Sequence, residues 1–118
     1  MSAAQDKRSE GRIQPFVVRC QVSFEGARTV AYVTDLSSKG ARLAFDHSAP
    51  PKDSPVEIAV RLGPGAATHL SAVVKWTEAE PRGKGTLVGV RFVSLSREAR
   101  ERLVSAVEEF RAHAAQLA

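Results

Sequence analysis

Two groups of polar residues in this 118-residue chain have the types and spacing that suit recognition of a phosphorylated ligand. The first is Arg8-Ser9-Glu10-Gly11-Arg12, and the second is Asp35-Leu36-Ser37-Ser38-Lys39-Gly40. Guanidinium forks bind phosphate oxygens bidentately, stack on bases and match the O6 and N7 acceptors of guanine. The carboxylate of Asp35 can accept from the N1 and N2 donors of a guanine Watson–Crick edge. The hydroxyl of Ser37 can bond a base or phosphate, and glycine at position 40 lets backbone approach closely. Lys39 adds a cation beside them. Each group also has a plainer reading. One Arg-x-x-x-Arg pair is expected by chance among 12 arginines, which leaves a solvated basic arm. Asp, Ser and Gly at these spacings also build an Asx or Ser turn with no ligand in view.

Residues for catalysis are not assembled in the same way. His47, His69 and His113 lack mutual spacing and nearby acids suited to a metal. Cys20 lies on the apolar side of an alternating run, where a small buried residue is the expectation. Gly63-Pro64-Gly65 is not followed by Gly-Lys-Ser/Thr, and no Gly-x-Ser-x-Gly elbow occurs. No enzymatic activity, metal or catalytic cofactor is therefore expected.

The elements that must position the two groups follow from periodicity. Residues 1–12 offer no apolar face and read as a flexible arm. Residues 13–95 hold six alternating apolar runs, expected to form an all-β barrel or sandwich. Phe16, Val18, Cys20, Val22 and Phe24 share one face of the first, and Glu25-Gly26-Ala27 turns out of it. Thr29 to Thr34 makes the second, which Asp35 to Gly40 interrupts as a turn. Ala41, Leu43 and Phe45 mark the third. The stretch Pro50 to Pro55 reads as a loop. Val56, Ile58, Val60 and Leu62 mark the fourth run, and Leu70, Ala72, Val74 and Trp76 the fifth. Val88, Val90 and Phe92 complete the set. After Ser96 the period changes to steps of three and four through Ala99, Leu103, Val107, Phe110, Ala114 and Leu117. That is one face of a helix over 96–118, with Ser96 as its N-cap, packed on the barrel.

Composition narrows the class further. With 43% hydrophobic and 25% charged residues, the chain is an ordinary globular domain of one modest core, too small for a large multi-domain enzyme. Seventeen Lys and Arg against 13 Asp and Glu leave a net charge of +4 with no block of like charges. One cysteine excludes an internal disulfide. The first residues lack the apolar segment of a secretory signal, and no window suits a membrane span. A cytoplasmic protein without membrane insertion is expected.

With these residues in place, the chain resembles the PilZ domain family, the bacterial receptors for cyclic di-GMP. The family pattern is Arg-x-x-x-Arg, then Asp/Asn-x-Ser-x-x-Gly some twenty residues on, over a six-stranded antiparallel barrel followed by a helix. Arg8 and Arg12, then Asp35, Ser37 and Gly40, match in that order. Ala41-Arg42-Leu43, Ala72 to Trp76 and Val88 to Phe92 add agreement, so the resemblance covers about residues 7 to 111. It implies that Arg8 and Arg12 contact the ligand's phosphates and guanine rings. It implies that Asp35 and Ser37 read guanine and phosphate, that Gly40 shapes the loop, and that Lys7 and Lys39 lie close by. The chain departs from the pattern at Lys39, where many members have a second glycine, and at Glu10, an acid placed to compete for the arginines.

The expectation is a stand-alone, non-enzymatic cyclic di-GMP receptor, monomer or homodimer, that signals to a downstream protein effector through altered protein–protein interaction. Two alternatives come from other classes. One is a ligand-independent PilZ scaffold or adaptor that binds only protein. The other is a small basic barrel for single-stranded nucleic acid, disfavoured because Phe16, Phe24, Phe45, Trp76, Phe92 and Phe110 mostly fall on core faces.

Overall fold

The computed structural model describes residues 18–80 and 83–117, with side chains described to residue 112. Six strands and one helix follow in chain order: β1 (Val18–Phe24), β2 (Ala27–Leu36), β3 (Gly40–Phe45), β4 (Pro55–Val60), β5 (Thr68–Ala79), β6 (Thr86–Phe92) and α1 (Arg97–Leu117). The strands close into one antiparallel barrel in the order β1-β2-β3-β6-β5-β4, with β4 pairing back onto β1. Closure leaves no unpaired sheet edge. The expected arm over residues 1–12, with Lys7, Arg8 and Arg12, lies outside the described residues, as does Phe16.

Alternation decides which side chains fill the barrel. Cys20, Val22, Ala31, Val33, Leu43, Phe45, Ile58, Leu70 and Val88 are all buried, and the residues between them face out. Fully burying one of these aliphatic side chains contributes about 1.5–3 kcal/mol. Burial also pushes the Cys20 thiol up to about 11, against a lowering backbone hydrogen bond at Ala31. The thiol is thus protonated at neutral pH and is core, as its place in the alternation predicts.

The β1–β2 hairpin turns on two residues, Glu25 (φ 50°) and Gly26 (φ 82°), both left-handed. Two positive φ values make a type I′ turn, whose twist matches that of the flanking strands. At the other end of the chain, the Ser96 hydroxyl accepts from Ala99 N at 3.1 Å, the N-cap expected from sequence. Ala99, Leu103, Ala106, Val107 and Phe110 form the buried stripe of α1 and join the barrel core. The side chains of His113, Ala114 and Leu117 lie outside the described set. No helix among the described residues is long and apolar enough to cross a membrane.

Several boundaries differ from the sequence expectation, and Ala27, expected in the first turn, already opens β2. Asp35 and Leu36 belong to β2 and not to the turn, because β2 stays paired with β3 through Leu36↔Ala41. Pro55 opens β4, where a strand's first residue tolerates the missing N–H, and Leu62 falls beyond that strand's end. Trp76 is the larger correction: it is 41% exposed, not on the core face with Leu70, Ala72 and Val74. The register of β5 against β6 shifts between Val74 and Trp76, so Lys75 is an extra residue. The bulge inverts the alternation and turns the indole outward.

Candidate ligand-binding site

A second bulge sets the position of Asp35. Val33 pairs with Leu43 and Asp35 with Arg42, so Thr34 is inserted between them. Strict alternation from Ala31 and Val33 would drive Asp35 into the core. The inserted Thr34 reverses the phase, exposing Asp35 and burying Leu36. Thr34 is tied down from β3: its hydroxyl donates to the Arg42 carbonyl at 3.3 Å and accepts from Arg42 Nε at 3.2 Å.

Beyond Leu36 the chain turns through Ser37-Ser38-Lys39. Ser37 N donates to Gly40 O at 2.9 Å. The Ser37 hydroxyl donates to that same carbonyl at 3.2 Å, and accepts from Lys39 N at 3.2 Å and Gly40 N at 3.1 Å. A hydroxyl has one donor and two acceptor pairs, so all of its capacity is engaged inside the turn. Gly40 has its own reason to lack a side chain. A β-carbon there would collide with the Val90 carbonyl oxygen on β6, so the close backbone approach it permits is that of a neighbouring strand. Phe92 N donates to Lys39 O at 2.9 Å, fixing the turn to the end of β6.

These residues line one open cleft of about 360 Å³ on the barrel exterior, with Asp35, Ser37, Lys39 and Gly40 on one side and Arg42, Val90 and Arg91 on the other. Asp35 Oδ1 accepts from Leu36 N at 3.0 Å, its one hydrogen bond among the described residues. The carboxylate therefore keeps acceptor capacity for a ligand. Lys39, Arg42 and Arg91 are exposed at the cleft, three cations against one carboxylate. The field there favours an anion. Leu36 is buried between this cleft and a smaller cavity of about 170 Å³ below it, whose other walls include Val18, Val33, Val60 and, from α1, Ala106 and Phe110.

The structure thus brings Asp35, Ser37, Lys39 and Gly40 together, and sets beside them four residues to which the sequence reading gave no place in the site. Arg42 stands opposite Asp35 in the β2–β3 register, and Gly89 stands opposite Arg42 across β3–β6. Trp76 is the partner of Gly89 and its indole lies over that glycine, where a β-carbon would strike the ring. Asp35, Arg42, Gly89 and Trp76 therefore form one lateral row across four strands. Arg91 joins the cleft through the pairing Gly40↔Arg91. The signal for Arg42 was present in its outward phase two residues after Gly40. Arg91 and Trp76 require knowledge of strand pairing and of the Lys75 bulge.

The family model described as PilZ domain matches residues 6–109, a span that includes Arg8 and Arg12. No curated protein matches the chain in sequence. Among solved structures, the PilZ domain of YcgR with c-di-GMP from Escherichia coli is similar with a TM-score of 0.68 at 15% identity, covering 85% of this chain and 86% of that one. The Bacillus subtilis inhibitor of motility MotI/DgrA gives 0.66 at 14% identity over 83% of this chain and 48% of its own. MrkH of K. pneumonia gives 0.70 at 12% identity over 95% of this chain and 53% of that one. The chain spans about half the length of the latter two.

Proposed function

The chain belongs to the PilZ domain family, and from that premise we propose that it is a receptor for cyclic di-GMP with no catalytic role. The observation that carries this reading is Asp35, turned out of the core by the Thr34 bulge and presented, with acceptor capacity left, in a cleft surrounded by Lys39, Arg42 and Arg91. A carboxylate within a cationic cleft suits a ligand that combines a donor edge, as guanine has, with phosphodiester anions.

In this mechanism Arg8 and Arg12 reach over the cleft and hold the ligand's phosphates and guanine rings from the solvent side, with Lys7 beside them. Asp35 accepts from guanine on the barrel side. Ser37 and Gly40 act through the turn, since the hydroxyl of one is engaged there and the other makes room for Val90. Binding changes the surface around the cleft. A downstream protein reads that change, because a ligand shifts only those states it binds differently.

Titration calorimetry of the whole chain with cyclic di-GMP and with cyclic di-AMP tests the reading. Saturable binding of the first, weaker binding of the second, and loss of affinity in the Arg8→Ala, Arg12→Ala double variant are expected. Unchanged affinity in that variant sinks the arm mechanism. A second reading, single-stranded nucleic acid, gains one observation from the exposure of Trp76 beside Arg42, since bases stack on exposed aromatics. Competition by an unrelated oligonucleotide separates the two.

A further inference from the structure

We infer that Arg42 and Arg91 form a phosphate clamp on the barrel itself, independent of the N-terminal arginines. The inference rests on the receptor reading and assigns it two further ligand contacts. Arg42 on β3 pairs with Gly89, and Arg91 on β6 pairs with Gly40, so the two arginines are diagonal neighbours on the outer face. Diagonal positions on adjacent strands lie about 7–8 Å apart, within reach of long side chains. Across the β3–β6 seam each arginine faces a glycine, so no side chain on that seam stands directly opposite either one; on their outer sides Arg42 meets Asp35 and Arg91 meets Val73.

The donors of the pair are oriented and available. Arg42 is held by its Nε bond to Thr34 Oγ1, which leaves both terminal nitrogens to point elsewhere. The exposed Arg91 side chain makes no hydrogen bond or ion pair among the described residues, and its guanidinium carries five N–H donors. Two like charges set side by side on a sheet repel one another, and among the described residues no carboxylate forms an ion pair with either of them. A phosphodiester between them removes the repulsion and takes bidentate hydrogen bonds from each planar fork. Asp35, opposite Arg42, fixes the orientation: the phosphate sits toward Arg91, and the guanine edge lies toward Asp35.

The clamp is tested on the full chain with wild type, Arg91→Ala, Arg42→Ala and, as a control, Arg28→Ala, an exposed cation of β2 outside the cleft. Calorimetry with cyclic di-GMP is expected to show roughly ten- to a hundredfold weaker binding for Arg91→Ala, partly restored in Arg91→Lys. Arg28→Ala should bind as wild type does. Arg91→Ala is the cleaner variant, because Arg42→Ala also releases Thr34. Wild-type affinity in both Arg91→Ala and Arg42→Ala, with cyclic di-GMP still bound, overturns the clamp and leaves the receptor reading standing. Should wild type fail to bind cyclic di-GMP, the receptor reading falls, and inorganic pyrophosphate then decides the clamp. An amide shift at Arg42 that vanishes in Arg91→Ala supports it, and no shift at Arg42 or Arg91 in wild type overturns it.

Discussion

Gly40 and Val90 approach so closely across β3 and β6 that no β-carbon fits between the first and the carbonyl oxygen of the second. The glycine of the turn is thereby a packing requirement of the barrel before it is anything to a ligand. Gly40→Ala must separate the two strands where the turn is anchored. A cost of about 1–3 kcal/mol is expected from such overpacking, read as a lower midpoint in urea denaturation. Ligand affinity should fall with it, because Lys39 and Arg91 flank the displaced strand ends.

The contact of Trp76 with Gly89 offers a spectroscopic handle. Trp76 is the only tryptophan, so intrinsic emission reports this one site. Gly89→Ala places a methyl where the indole lies and forces the ring further into solvent. The expected result is a red shift of emission with a modest stability loss of about 1 kcal/mol. An unshifted spectrum would show that the ring does not rest on the glycine.

Charge removal at Arg12 tests the proposed arm. Arg12→Ala should delete charge-assisted hydrogen bonds worth about 1.5–3 kcal/mol, roughly a ten- to hundredfold loss in affinity. Asp35→Ala should act differently, lowering the preference for cyclic di-GMP over cyclic di-AMP. Paired isotherms for the two ligands distinguish a loss of affinity from a loss of selectivity.

Alkaline stability should report Cys20. Its folded pKa is raised from 9.0 to about 11 by burial, so the folded state holds the thiol proton more tightly than the unfolded chain. The neutral-thiol contribution is complete below pH 9 and is lost as pH rises towards 11, at about 1.4 kcal/mol per pH unit. Cys20→Ala should lack that part of the decline when denaturation midpoints of both proteins are followed from pH 8 to 11.

How much of this was readable beforehand depends on what kind of signal carried it. Cys20, Val22, Leu43, Phe45 and Ile58 announced their inward direction by alternation, and Ser96 its cap by residue type, because both are local properties of the chain. Asp35, Ser37 and Gly40 were found by type and spacing, yet the reasons for them were not. Ser37 could have served a ligand or its own turn, and only the three hydrogen bonds of its hydroxyl show that the turn uses it fully. Alternation alone puts Trp76 on the core face, because a bulge is a property of two strands in register. Nothing in Val74-Lys75-Trp76 marks the extra residue until β6 lies alongside. Arg91 carries no local signal for the same reason, since its neighbour in space is a turn about fifty residues earlier in the chain.

Leu36 has the ligand cleft on one side and the cavity beneath α1 on the other. One side chain therefore belongs both to the wall of the surface cleft and to the wall of a cavity that Ala106 and Phe110 of the helix also line. A shift of Leu36 at the cleft therefore changes the shape of the space that the helix faces.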